Sequence, residues 1–387
     1  MKKKIPVYAW YYPGWGDKDE TDAAWHGNGW NEWRLLKAAV PRFHGHKIYH
    51  PLWGYEADDD VANMGKKIDT ALKYGVDGFM WDFYWHENGG YRLSSINAFE
   101  EAMKDSARKN FRLGLMWCCE DIYDMMPSAY RSTNRILWTL KVSPDAFWKG
   151  TDYIIRHYMA KPWYMTIWHE GKEKLFFTFY DLPKFVDWMG GINGARVQIE
   201  DFKRRVLEAT GKELFVAANA RHLDAYVKKE KDAATSYFNS LKVDGCTQYG
   251  WPMMPKQNYV WPIAEYRDYV DGGIAYFREA TESVALPVNV TIMQGWDPSP
   301  RSLCTDLYDN VGYPYTWITN HKNIDDFSRA LCAAKAFFES GDYTGNFLTI
   351  TSWNEWTEGN FLEPSVEDGY AYLEAVKSVF GTMDEPR

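Results

Sequence analysis

The chain is poor in cysteine, has no surplus of positive charge and lacks any long apolar run, and each shortage removes a class of function. Five cysteines are scattered through 387 residues, odd in number and in no Cys-x-x-Cys spacing. Neither a disulfide framework nor a zinc site is indicated, and free thiols are expected. Lys and Arg number 44 against 53 Asp and Glu, a formal charge of −9. Without a basic stripe nothing offers to neutralise a phosphate backbone, so nucleic acid is not an expected partner. No stretch approaches the roughly eighteen apolar residues of a membrane span, so no membrane partner is expected either. Lys2-Lys3-Lys4 imitates the start of a secretion signal, but Ile5 to Tyr12 is short and aromatic and breaks at Pro13-Gly14 without a small-residue cleavage site. It reads as a first strand. The compartment stays open between the cytoplasm and, after removal of a leader, the periplasm or exterior, and so does the oligomeric state.

What the chain has in excess is aromatic surface: 20 Trp, 27 Tyr and 20 Phe make up 17% of it. So many rings cannot all be buried cheaply when each indole N–H needs a partner, so an aromatic-lined groove is the expected overflow.

Apolar runs and amphipathic stretches alternate throughout. Strands are expected at Ile5–Tyr11, Gly78–Tyr84, Phe111–Trp117, Leu175–Tyr180, Leu214–Ala218, Gly245–Tyr249, Pro287–Met293 and Phe347–Ser352, the fifth and sixth being the weakest. Helices are expected at Asp60–Tyr74, Ser95–Lys109, Pro144–Met159, Ala195–Thr210, Ile263–Ser283, Asp325–Ser340 and Tyr370–Phe380, with a partly helical stretch after the fifth strand. Asp58 to Asp60 reads as a cap for the first helix. Eight alternations with no break in composition argue for a single (β/α)₈ barrel over residues 1–387. Its long loops, 13–59 and 118–143, are too aromatic for tethers and read as walls of a groove.

In that fold the site lies just past the strand ends. Those positions hold Tyr11 and Tyr12, then Asp82 and Trp85, Glu120 and Asp121, Asp181, Asn219, Trp251, and Trp296-Asp297 with Arg301. One acid or indole at a strand end is more often a cap or a core residue. Their recurrence around one rim is the signal. After the last strand comes Trp353-Asn354-Glu355-Trp356-Thr357-Glu358-Gly359. On one helical turn the Cβ atoms of Glu355 and Glu358 would stand about 5–6 Å apart. Two carboxylates walled by Trp353 and Trp356 are what glycosidic cleavage asks for, one as acid and one as base. The bland alternative is a solvated turn. His44 and His46 have an alternate spacing that could serve a metal, but in an aromatic loop they read better as hydrogen-bonding groups, and neither metal nor cofactor is expected.

The run from Trp353 to Gly359, followed by Leu362-Glu363-Pro364, resembles the signature of glycoside hydrolase family 99 and of the related WbsX-like proteins. Tyr11-Tyr12-Pro13, Gly45-His46, Tyr74 to Phe79 leading into Tyr84-Trp85, and Gly295-Trp296-Asp297 with Arg301 are similar to other parts of that pattern. The resemblance implies a (β/α)₈ barrel acting on an oligosaccharide or polysaccharide, with endo-acting, retaining cleavage at α-mannosides. It implies Glu358 as general acid/base and Glu355 as the base that activates the sugar's own 2-hydroxyl. The substrate-binding residues it points to are Tyr11, Tyr12, His46, Asp82, Trp85, Glu120, Trp296, Asp297, Arg301, Asn354 and Trp356. Two departures fall at the expected site: Cys118-Cys119-Glu120-Asp121 replaces an Asn-Glu-Asn-Trp run, and Thr357 replaces a His.

Two rivals stand beside a retaining glycosidase. A WbsX-like glycosyltransferase would need a nucleotide site, and no Asp-x-Asp with a Gly-rich loop follows an early strand. A silent glycan-binding barrel would have no need for two acids at this spacing.

Overall fold

Successive residues of a strand point to opposite faces, and in this chain both faces are apolar, which is the pattern of a sheet covered on both sides. The computed structural model describes residues 5–19, 24, 26–131, 135–220, 231–251 and 260–381. The Lys2–Lys4 run and part of the stretch after the fifth strand lie outside them. Eight strands run in parallel: Val7–Tyr11 (β1), Gly78–His86 (β2), Arg112–Trp117 (β3), Lys172–Phe179 (β4), Leu214–Asn219 (β5), Gly245–Thr247 (β6), the two halves Val288–Asn289 and Thr291–Met293 (β7), and Leu348–Thr351 (β8). The first half of β7 pairs with β6 through Cys246 and Val288. Its second half pairs with β8 through Thr291 and Thr349. The strand that begins the sheet therefore also ends it, and the sheet curls into a barrel.

A helix follows each strand: Val61–Lys73 (α1), Leu93–Ala102 (α2), Pro144–Ile154 (α3), Ile192–Thr210 (α4), Lys231–Ser240 (α5), Tyr266–Glu282 (α6), Ile324–Glu339 (α7) and Ala371–Phe380 (α8). Local chemistry sets several of their ends. Asp60 accepts from the N–H groups of Ala62 and Asn63 to start α1. Ser143 caps α3 with Pro144 in its first turn, and Gly211, at φ 72°, closes α4 in the left-handed conformation that costs glycine least.

The period of two sorts the core into an inner plug and an outer ring. Tyr8, Trp10, Met80, Met116, Phe176, Phe215 and Phe347 fill the barrel. Val7, Ala9, Tyr11, Phe79, Trp81, Leu115, Phe177, Val216 and Ile350 face outward against helical residues such as Ile68, Phe147, Phe202 and Leu331. Fully burying one such Leu, Ile or Phe contributes about 1.5–3 kcal/mol.

The sequence-based boundaries differ from the structure where tertiary contacts intervene. The expected helix at Ile263 begins as a short strand, Ile263–Glu265, paired with Ile318–Asn320. The helix expected to reach Lys109 stops at Ala102 and resumes only as a tight turn at Ser106–Arg108. Strand β6 is short, and a Cβ at Gly245 would stand 2.6 Å from the Phe215 ring and 2.9 Å from the Pro287 carbonyl. Of the three aspartates expected as a cap, Asp60 alone caps. Asp58 is buried against Lys67 and Tyr11, and Asp59 accepts from the backbone of Asp17 and Lys18.

Candidate functional site

At the C-terminal end of the barrel the inner face opens into a cavity of about 340 Å³. Its floor and walls continue the inward register of the strands: Tyr12 after β1, Asp82 on β2, Cys118 after β3, Tyr180 after β4, Tyr249 after β6, and Met293 and Thr351 on β7 and β8.

The acidic turn is built by the chain that leaves β8. Trp353 N–H donates to the Trp10 carbonyl at 2.7 Å, which ties the turn to β1. Asn354–Glu355 then pairs antiparallel with Asn360–Phe361, and Trp356–Glu358 forms a tight turn between them. Gly359 closes it at φ 63°, where a Cβ would lie 2.5 Å from the Cβ of Asp297, so only glycine fits. Glu355 thus precedes the turn and Glu358 ends it, and each carboxylate has its own donors. Tyr249 Oη donates to Glu355 Oε1 at 3.0 Å and Ser352 Oγ to Oε2 at 3.1 Å. Glu358 Oε1 accepts from Arg301 Nη1 and from Tyr313 Oη, both at 2.6 Å.

Arg301 is the hub behind the pair. Its Nε donates to Thr357 Oγ1 at 3.0 Å and its Nη2 to Glu32 Oε2 at 3.2 Å, and Thr357 itself donates to Glu32 at 2.6 Å. Glu32 is fully buried and also accepts from Tyr12, whose hydroxyl accepts from Arg92. Burial works against the Arg301 charge, but Glu32, Tyr313 and Glu358 outweigh it and hold the guanidinium protonated. Glu355 is pushed well above the ordinary carboxylate range by burial first, then by the charges of Glu358 and Asp82, with Arg301 and Tyr249 opposing. Asp82 moves the same way for the same leading reason, opposed by its contact with Tyr249. Among the described residues no three His, Cys, Asp or Glu side chains are grouped as a metal site requires.

Of the residues singled out from sequence, Glu355, Glu358, Tyr12, Asp82, Glu120, Asp121, Trp251, Trp296 and Arg301 meet at this cavity. The others stand elsewhere. Tyr11 and Trp85 fall on the outward register of β1 and β2: Tyr11 stacks on Trp81 at 4.1 Å and donates to Asp58, and Trp85 packs on Tyr153. Asn354 clamps the Tyr12 backbone, accepting from its N–H and donating to its carbonyl at 2.9 Å each. His46 Nε2 pairs with Asp297 Oδ2 at 2.8 Å in a smaller neighbouring pocket that Lys322 also lines. The two tryptophans expected to wall the carboxylates do not reach them. Trp353 packs into the outer ring against Phe79, and Trp356 stacks on Phe361 at 3.7 Å with its indole N–H given to Glu363.

Sequence reasoning missed Tyr313, Glu32 and Arg92, and named Tyr249 only as the end of a weak strand. For Glu32 a signal exists: Trp30-Asn31-Glu32-Trp33 repeats the tetrapeptide Trp353-Asn354-Glu355-Trp356. The two copies meet in space, with Trp33 and Trp356 centroids 6.1 Å apart. For Tyr313, in a long loop after β7, neither periodicity nor spacing carries a signal.

The chain is similar over its length to several known proteins. It is 23% identical to a protein named WxcX, uncharacterised, of Xanthomonas campestris pv. campestris, over 96% of this chain and 49% of that one. It thus spans about half the length of that relative. Among solved structures, a family 99 endo-α-mannosidase of Bacteroides thetaiotaomicron, in complex with bis-tris-propane, superposes with a TM-score of 0.57 at 15% identity, covering 97% of this chain and 95% of the other. A glycoside hydrolase-like protein superposes at 0.59 and 14% identity, covering 98% and 95%. At such identities the likeness establishes the shared (β/α)₈ barrel. The family described as glycosyltransferase WbsX matches residues 7–376, and the chain belongs to that family.

Proposed function

We propose that this protein is a retaining glycoside hydrolase that cleaves an α-linked glycan in the manner of an endo-α-mannosidase, with Glu355 and Glu358 as the working pair. The observation that carries the reading is the turn at the barrel mouth, which presents two carboxylates to one cavity, each oriented by separate donors. In the first step Glu355 takes the proton of the sugar's 2-hydroxyl, O2 attacks the anomeric carbon from behind, and the bond to the leaving oxygen breaks as that oxygen takes a proton from Glu358. In the second, Glu358 takes a proton from water, the hydroxide opens the anhydro ring at the same carbon, and O2 recovers its proton from Glu355. Two inversions give net retention. Both donors to Glu358 fall on Oε1, which leaves Oε2 for the leaving group and the water.

The family's name keeps a glycosyltransferase as the second reading, and the cavity's charge argues against it. Asp82, Glu120, Asp121, Glu355 and Glu358 line it, against Arg92 and Arg301. Both arginines already serve Glu32 and Tyr12 or Glu358. A sugar-nucleotide diphosphate would meet the base Glu355 together with Glu120 and Asp121, and find both arginines already engaged. A neutral glycan meets no such cost. The test is to offer the protein a panel of α-linked glycans and, separately, sugar nucleotides with glycan acceptors, and to follow the anomeric signals by proton NMR. Hydrolysis with retention supports the reading, and transfer from a sugar nucleotide without hydrolysis overturns it.

A further inference from the structure

The hydroxyl of Tyr249 stands between two carboxyl groups, 3.0 Å from Glu355 Oε1 and 3.1 Å from Asp82 Oδ2. A phenol has one proton to give, so it donates to only one of them. The other contact is a hydrogen bond only if that second carboxyl carries a proton and donates it to the phenol oxygen. Which of the two does so follows from their other partners. Glu355 receives a second donor, Ser352 Oγ at 3.1 Å, and feels the charge of Arg301. Among the described residues Asp82 has Tyr249 alone: it is 3% exposed, and its Oδ1 is buried with no hydrogen-bond partner among them. Among the described residues the groups that face Asp82 from neighbouring elements are Tyr84, Cys118, Glu120, Glu355 and Glu358, together with Tyr249, and none of these is a cation. An ionised carboxylate there would be buried with a single donor, at a large desolvation cost, whereas a neutral acid is buried far more cheaply.

We infer that Asp82 is a positioning residue that carries the buried proton of the site, donating through its carboxyl O–H to Tyr249, so that Tyr249 must donate to Glu355 and hold it as a carboxylate. The chain has one direction: Asp82 O–H to Tyr249 Oη, Tyr249 O–H to Glu355 Oε1. No covalent bond changes and no proton is consumed. What the arrangement does is decide which of two buried carboxyls is charged, and thereby leave Glu355 as the base; that the base acts on a sugar hydroxyl rests on the function proposed above. Burial raises both carboxyls, so their shifts alone do not choose between them. The count of donors does.

Two measurements test this, and the first needs no substrate. Infrared difference spectra near neutral pH, in light and heavy water, detect an exchangeable protonated carboxyl. Beside any band from the proton donor Glu358, which neither substitution removes, the expected result is a band in the wild type that is lost in Asp82→Asn and kept in Glu355→Gln. A band kept in Asp82→Asn and lost in Glu355→Gln puts the proton on Glu355 and overturns the inference, as does a wild type without any band that Asp82→Asn removes. The second is turnover of a cleaved glycan. Asparagine keeps an N–H donor toward Tyr249 and alanine does not, so Asp82→Ala should lose at least about tenfold more than Asp82→Asn, within the roughly 10²–10⁴-fold that a positioned base contributes. Equal losses, or a greater loss for asparagine, mean that Asp82 works as a carboxylate or only as packing. If no glycan is turned over, the hydrolase reading fails while the infrared result still decides where the proton sits.

Discussion

Arg301 Nη1 donates to Glu358 Oε1 at 2.6 Å, and the guanidinium that does so is itself buried and held from behind by Glu32 and Thr357. One planar fork thus ties the acidic turn after β8 to the loop after β1. Lysine has neither the plane nor the number of donors to do the same.

Removing that fork leaves Glu358 without its cation and Glu32 with Arg92, at 3.9 Å. Arg301→Met is expected to destabilise the fold by about 3–5 kcal/mol, the cost of breaking a buried pair from one side, and to abolish turnover. Arg301→Lys should fall between methionine and wild type in stability and remain strongly impaired in rate. Chemical denaturation beside initial rates checks this. A methionine variant as stable as wild type would mean that the network is not closed to water.

A second buried cation sits beneath the same turn. Lys67 pairs with Asp58 and, at 2.7 Å, with Glu363, and all three side chains are at most 4% exposed. Glu363 in turn accepts from the Trp356 indole, and Asp58 from Tyr11 and Asn354. Burial opposes the charge on Lys67, but the two acids hold its proton more tightly than water does. Lys67→Met should therefore cost about 3–5 kcal/mol by stranding two acids. A melting temperature unchanged from wild type would contradict this.

Lys322 behaves in the opposite sense. Its ammonium lies 4.0 Å from the Tyr49 ring centroid and 4.4 Å from that of Phe361. Burial lowers its pKa to about 8, against the pull of Asp368, Asp297 and Glu367. Between that value and the roughly 10.4 of an unfolded lysine, the unfolded chain binds more protons than the folded one, so this group makes stability rise with pH across that window. Lys322→Met should flatten the rise. Unfolding free energies measured at several pH values through the window, for both proteins, give the comparison, and identical slopes would exclude Lys322 as the source.

How much of this was legible in the sequence divides along the period of two. Strand positions and the barrel followed from alternating apolar runs, because β1 to β4 are long and apolar on both faces. The same period, applied residue by residue, separates Tyr12 and Asp82, which face the cavity, from Tyr11 and Trp85, which face the helices. Reading whole motifs at strand ends lost that distinction. The acidic turn was visible because Gly359 and the strand before it fix its place, but its tryptophans were misread as walls. Trp353 lies past the end of β8, where the period of two no longer holds, and turns into the outer ring against Phe79, and Trp356 is drawn onto Phe361. Tyr313 and the partner role of Glu32 depend on loops brought together across the whole chain, and only the repeated Trp-Asn-Glu-Trp left a trace of one of them.

The central claim is that Glu355 and Glu358 divide the chemistry, and leaving-group dependence tests it most directly. The rates of wild type, Glu358→Gln and Glu355→Gln are measured on a natural α-linked glycan and on an aryl glycoside of the same sugar, after melting temperatures show that all three are folded. A proton donor matters most for a poor leaving group, so Glu358→Gln should lose on the order of 10²–10⁴-fold on the glycan and recover much of its rate on the aryl substrate. Glu355→Gln should recover on neither, because attack at the anomeric carbon still lacks its base whatever leaves. Equal losses for both variants on both substrates would contradict the division of roles, and near-normal rates for either would remove the pair from the chemistry altogether.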